Sequence, residues 1–274
     1  MDNARLDVPD SWGLKDKVAI VTGGGAAGDG LGNGRAAAIL LARAGTRVIV
    51  VDRDVALAKR TVEMIEAGGG QALAFQADMT RAADCAAVVE AAMDRYGRLD
   101  YLDNNVGIGS RGSVVDETEE SWRRLMNVNV DTMFLAAKHA IPAMRRTGGG
   151  AIVNVSSMAG RRGLAYRIGY CSAKAGQVGM TYGMSLELAP HNIRVNAIAP
   201  GAVEGDRIDQ VIAGQARVRG LPVEAMRRML VERSPLRRMV TADDITAMAI
   251  FLVSEQSRNL SGQCIAVNAG EPAS

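Results

Sequence analysis

The stretch "KVAIVTGGGAAGDGLGNGRAAAILLARAG" (17–45) decides the fold. An apolar, β-branched run (17–22) reads as a buried strand, and the apolar run from Asn33 to Ala44 reads as a helix. Between them, seven of the twelve residues from Gly23 to Gly34 are glycine. Glycine loses more backbone entropy on folding than any other residue, so this concentration needs a reason. At a strand-to-helix junction the reason is close approach: a bare backbone reaches a pyrophosphate, and the first amides of the helix face its charge. The bland alternative is a mobile surface loop.

Outward from that unit the same alternation continues. Candidate strands lie at 17–22, 47–52, 71–75, 99–103, 150–155, 193–198 and 264–267. Helical patterns lie near 33–44, 54–67, 81–96, 118–146, 170–189 and 241–254. Strands alternating with helices predict right-handed crossovers and an α/β fold: a Rossmann-like, doubly wound, parallel seven-stranded sheet with helices on both faces. No linker or internal repeat interrupts the pattern, so a single domain is expected over 17–270, after an N-terminal extension at 1–16. One segment breaks the rhythm, an Arg-rich insert at about 202–238.

The second strand, "RVIVVD" (47–52), ends in Asp52. A carboxylate there accepts hydrogen bonds from the adenosine ribose and repels a 2′-phosphate, which favours NAD over NADP. Arg53 beside it is the feature that would accept that phosphate instead.

Composition bounds the rest. Of the 274 residues 48% are hydrophobic, enough for a full core, and the net charge is only +2. That balance, with 4% aromatics, argues against a nucleic-acid partner. Three scattered cysteines (Cys85, Cys171, Cys264) form neither a disulfide framework nor a metal pair. A cytoplasmic location is expected, since the N-terminus has no apolar signal region and the apolar stretch 36–51 is broken by Arg43, Gly45 and Arg47. His139 and His191 belong to no metal-ligand cluster, so no metal is expected.

The segment "SSMAGRRGLAYRIGYCSAK" (156–174) carries the candidate chemistry. Tyr170 and Lys174 are four apart and share one helix face. A phenol ordinarily titrates near 10, and a neighbouring ammonium stabilises its anion, so the pair suits proton transfer. Tyr166 is a decoy, because position 170 is not a lysine.

With these motifs in order, the chain resembles the classical short-chain dehydrogenases/reductases from about Lys17 to Gly270. The resemblance rests on the T-G-…-G-x-G turn, the acidic end of strand two, Asp78, "NNVG" (104–107), Asn129, Ser157, "YCSAK" and "PG" (200–201). It implies a catalytic set of Asn129, Ser157, Tyr170 and Lys174. Tyr170 would be the general acid/base, Lys174 its tuning cation and a ribose ligand, and Ser157 the holder of the substrate oxygen. Asn129 would carry a proton relay through water. The cofactor would meet Gly23, Gly32, Asn33, Gly34, Asp52, Arg53, Asp78, Met79, Asn105, Val106, Gly107, Tyr170, Lys174, Pro200, Gly201 and Val203.

The pattern departs from the family in three places. Eight residues, not three, separate T-G from the G-x-G at 32–34, and "GDG" (28–30) offers a competing register. Gly205 stands where a threonine usually follows "PG", and "VNAG" (267–270) replaces V-D-G-G. The family implies that the insert is a flap over the substrate. Between 205 and 238 it holds eight arginines and four acids, and Arg161, Arg162 and Arg167 lie between Ser157 and Tyr170. Arginines pair with carboxylate, sulfonate or phosphate, which suggests an anionic substrate; the alternative is a solvated or subunit-contacting basic face.

The expected activity is therefore NAD-dependent interconversion of a secondary alcohol (polyol, sugar or hydroxy acid) and its ketone. An NADPH-dependent reductase of a 3-oxoacyl thioester or ketone is the second reading, and a non-catalytic dinucleotide sensor the third. Apolar helices 118–146 and 170–189, with small residues at Gly176, Gly179 and Gly183, suggest a homotetramer or homodimer.

Overall fold

A computed structural model describes residues 8–26 and 30–272. Seven parallel strands form one sheet: β1 (Val18–Thr22), β2 (Arg47–Asp52), β3 (Ala72–Gln76), β4 (Tyr101–Asn104), β5 (Gly150–Val155), β6 (Ile193–Pro200) and β7 (Cys264–Val267). Their order is β3-β2-β1-β4-β5-β6-β7. All five residues of β1 are buried, as a strand covered on both faces requires.

One face is covered by α1 (Asn33–Arg43), α2 (Val55–Ala67) and α9 (Ala242–Val253), the other by α3 (Ala82–Tyr96), α5 (Thr132–Arg146) and α6 (Ile168–Leu188). Chain order reverses between β1 and β4, and ligands of such sheets bind outside the strand ends at that point. Part of the N-terminal segment is core: Leu14 is buried, and its carbonyl accepts a hydrogen bond from the Thr46 hydroxyl (2.9 Å).

Two elements differ from the sequence reading. The helical pattern at 118–146 is not one regular helix. It divides into α4 (Glu119–Met126), a wide π-type turn (Asn127–Asp131) and α5. Residue periodicity does not register such a turn, because the chain stays helical on both sides of it. The Arg-rich insert forms two helices, α7 (Asp206–Arg219) and α8 (Val223–Glu232), parted by Gly220 in the left-handed conformation (φ 64°) and by Pro222. They enclose a small core of their own around Ile212, Ala216 and Met226.

Candidate active site

A cleft of about 1300 Å³ runs across the carboxyl ends of the strands. It gathers residues from β2, β5, β6, α1, α6, the loops that follow β1 and β4, and the insert. Every residue expected to meet the cofactor lines it, as do Ser157, Tyr170 and Lys174. Asn129 does not, because it is fully buried behind the wall.

The glycine turn explains itself at two positions. Gly23 is left-handed (φ 63°). A β-carbon on Gly34 would stand 2.1 Å from the Gly23 carbonyl oxygen, so no larger residue lets α1 start this close to β1. Gly32 precedes α1 without capping it through a side chain, and Asn33 and Gly34 of the first turn line the cleft. Gly28 and Asp29 of the competing register lie outside the described residues.

Arg35, which the sequence reading counted only as part of α1, anchors the long turn. It is fully buried, and its guanidinium donates to the Ala26 carbonyl (2.8 Å), the Gly30 carbonyl (2.9 Å) and the Thr61 hydroxyl (3.1 Å). Ala26 and Gly30 are thereby both tied to the start of α1. The available signal was a charged residue inside an apolar helical run.

At the adenosine end, the Asp52 carboxylate accepts from the Gly25 and Asp54 amides, both at 3.1 Å. It therefore joins the end of β2 to the turn. Asp78 accepts from the Thr80 hydroxyl (2.7 Å) and amide (3.0 Å), and these bonds, aided by Arg53 and Arg81, hold its carboxyl below the usual range. A glycine turn at a helix start, an acidic strand end and a long cleft fit a dinucleotide.

At the other end Tyr170 and Lys174 project from one face of α6, with the Lys174 Nζ 5.9 Å from the Tyr170 ring centre. Nζ donates to the Val155 carbonyl (2.9 Å) and to Gln177 Oε1 (3.0 Å). A β-carbon on Gly107 would stand 3.3 Å from that Nζ and 2.8 Å from Asn129 Oδ1, so "NNVG" ends in glycine where β4 meets the site. Asn104 donates to Asn154, which donates to Thr181, tying β4, β5 and α6 together beneath it. Ser157 follows β5 and accepts from the Ala159 amide (3.1 Å).

The π-type turn sets Asn129 into the wall. Its side chain exchanges two bonds with Ile108 (3.2 and 3.1 Å) and donates to the Leu125 carbonyl (2.9 Å). A protein path joins it to Lys174: Gln177 accepts from Lys174 and donates to the Asn129 carbonyl (2.6 Å). Sequence reading missed Gln177, although a polar residue three places after Lys174 on one helix face was the signal.

Burial, with the Arg207 cation adding to it, pushes the Lys174 ammonium down to about 7. Between pH 7 and its ordinary 10.5 the folded protein binds less proton here than the unfolded chain does. This group therefore makes stability rise with pH across that window. Burial pushes Asp103, on β4, up to about 7, so its own contribution falls as pH rises from 3.8 to 7 and is flat above. Because the windows do not overlap, Lys174→Met isolates the lysine. The stability of K174M relative to wild type is expected to decline steadily from pH 7 to 10 in denaturant titrations. A constant difference would mean that Lys174 is solvated.

A family model described as enoyl-(acyl carrier protein) reductase matches residues 25–271. The chain is 38% identical to 2-(S)-hydroxypropyl-CoM dehydrogenase 3 of Xanthobacter autotrophicus, over 94% of this chain and 97% of that protein. It is 36% identical to galactitol 2-dehydrogenase of Agrobacterium fabrum, over 94% and 98%. Among solved structures, NAD+-bound xylitol dehydrogenase superposes with a TM-score of 0.88 at 28% identity, covering 94% of this chain and 99% of that one. With Ser157, Tyr170 and Lys174 lining its cleft at the strand switch, this chain belongs to the short-chain dehydrogenase/reductase family, as an NAD(P)-dependent oxidoreductase acting on CH–OH groups.

Proposed function

We propose that the protein is an NAD-dependent dehydrogenase of a secondary alcohol, with Tyr170 as its acid/base. The observation that carries this reading is the convergence of Ser157, Tyr170 and Lys174 on the cleft that also takes in Asp52. The dehydrogenase relatives and the NAD+-bound neighbour support it. When bound, the nicotinamide supplies the hydride acceptor or donor. The chain supplies proton handling and orientation. Ser157, whose oxygen already accepts from the Ala159 amide, keeps its hydroxyl proton for the substrate oxygen. The Tyr170 hydroxyl exchanges the substrate proton. Lys174 is fixed near the phenol by Val155 and Gln177 and stabilises its anion when protonated, and Gln177 joins it to Asn129. Gly205 (φ 130°) opens α7 where the family commonly has a threonine, so that contact would fall to main-chain groups or to Asp206 next door.

The test is an initial-rate assay of NAD reduction with a panel of secondary alcohols. Turnover with NAD is the expected result. Binding of NAD without turnover would favour the sensor reading.

We assign the working form to a homotetramer or homodimer in the cytoplasm, where its three free cysteines stay reduced. No helix among the described residues is long and apolar enough to cross a membrane. On α5 and α6, Phe134 is 50% exposed, Tyr182 48% and Leu186 80%. Large apolar side chains on adjoining helices mark a subunit contact. Sedimentation should show a dimer or tetramer that Leu186→Glu with Tyr182→Glu converts to monomer; a monomeric wild type would overturn this assignment.

A further inference from the structure

The basic residues around the mouth divide into two groups. Arg161 donates to the Cys264 carbonyl (3.2 Å), Arg162 and Arg233 share the Glu271 carboxylate, Arg227 pairs with Asp209, and Arg237 donates to the Glu232 carbonyl. These five are structural. Of the cleft-lining arginines without such a partner, among them Arg111 and Arg219, Arg167 and Arg207 are the two brought together at Gly109. Neither makes an ion pair or a side-chain hydrogen bond to any described residue, and Arg167 Nε is buried without a partner.

Both point at the reacting end of the cleft. The Arg167 guanidinium carbon lies 4.6 Å from the Tyr170 ring centre. A β-carbon on Gly109 would stand 3.1 Å from Arg167 Nη2, 3.9 Å from Arg207 Nη2 and 4.0 Å from Tyr170 Cδ2. The absence of a side chain at Gly109 leaves one small space that both guanidinium groups and the phenol ring border. Arg167 is held there by its backbone. Gly112 pairs with it across a short bridge, and the Gly112 amide donates to the Tyr166 carbonyl (3.1 Å), with Tyr166 in the left-handed conformation (φ 61°). Arg207 sits in the first turn of α7, an element that the insert adds.

This arrangement is costly as it stands. Burial, with the Arg111 and Arg207 cations, pushes the Arg167 guanidinium below its usual range. Glu204 and Asp206 border the cleft but bond to neither arginine. Like charges gathered beside a buried, unpaired donor are stabilised by an anion, and a guanidinium fork matches a carboxylate or sulfonate in two places.

We infer that the substrate carries a carboxylate or sulfonate close to its carbinol carbon, held between Arg167 and Arg207 while the carbinol meets Tyr170. The inference rests on the dehydrogenase reading for the placing of the carbinol, but the anion subsite can be tested without turnover.

The test is calorimetric titration of the NAD-saturated protein with propane-1-sulfonate, butanoate and, as the neutral partner, butan-1-ol. At least one anion should bind about tenfold or more tightly than butan-1-ol, and Arg207→Gln and Arg167→Gln should each reduce that preference about tenfold. Raising the salt concentration should weaken the anion and leave the alcohol alone. The inference is overturned if neither anion is preferred, or if the variants weaken anion and alcohol equally. NAD affinity, measured for each variant, shows whether the fold is intact. Turnover of 3-hydroxybutanoate against butane-1,3-diol then carries the preference into kcat/KM. Anion binding without turnover of any alcohol would count against the dehydrogenase reading and leave the subsite standing.

Discussion

Tyr170→Phe is expected to lower kcat by about 10²- to 10⁴-fold, the range for losing a positioned proton donor and acceptor. The substitution removes one oxygen and leaves the ring. The Arg167 face contact (4.6 Å) and the Lys174 contact (5.9 Å) are made to that ring, so the fold and the cleft should survive. NAD affinity should change by no more than about threefold, since a single neutral hydrogen bond contributes little net. Rapid-mixing kinetics in both directions, beside calorimetry with NAD, separates these effects. If the variant turns over at near wild-type rate, Tyr170 is not the acid/base. If it loses NAD binding in proportion to rate, its role is positional.

The second large effect is expected at the adenosine end. Asp52→Asn keeps one of the two oxygens that now accept from the Gly25 and Asp54 amides (both 3.1 Å) and removes the charge together with the other acceptor. A 2′-phosphate would then meet no repulsion and would find Arg53 beside it. The ratio of kcat/KM for NAD to that for NADP should fall by about 10- to 100-fold, the worth of hydrogen bonds to a charged group. An unchanged ratio would mean that the carboxylate serves the glycine turn alone. A wild type that already prefers NADP would transfer the assignment to the reductase reading and give Arg53 the decisive role.

How far the site could be read in advance depends on the range of the interactions involved. β1 and β2 are continuous apolar runs, and their pattern is local, so they stand within a residue of where periodicity puts them. Tyr170 and Lys174 share a face because helical geometry alone places residues four apart together. Asn129 was legible as a motif but not as a structure, because the turn that seats it keeps helical periodicity on both sides. Gln177 and Arg35 were passed over for a related reason. A polar residue within a helical run gives no sign of what it will face, and the partners of Gln177 lie three and 48 positions away.

The sequence by itself thus determined the doubly wound parallel sheet, the order of its elements and the residue types at the cleft. These follow from alternation, spacing and backbone freedom, which act over a few residues. Only the tertiary structure decided which charges are spent. From composition the arginines of the insert are equivalent. In the folded chain Arg227, Arg233 and Arg237 have structural partners, while Arg207 comes beside Arg167 and Tyr170. Pairing depends on distance through space, and the chain brings positions 109, 167 and 207 together only when the sheet is complete.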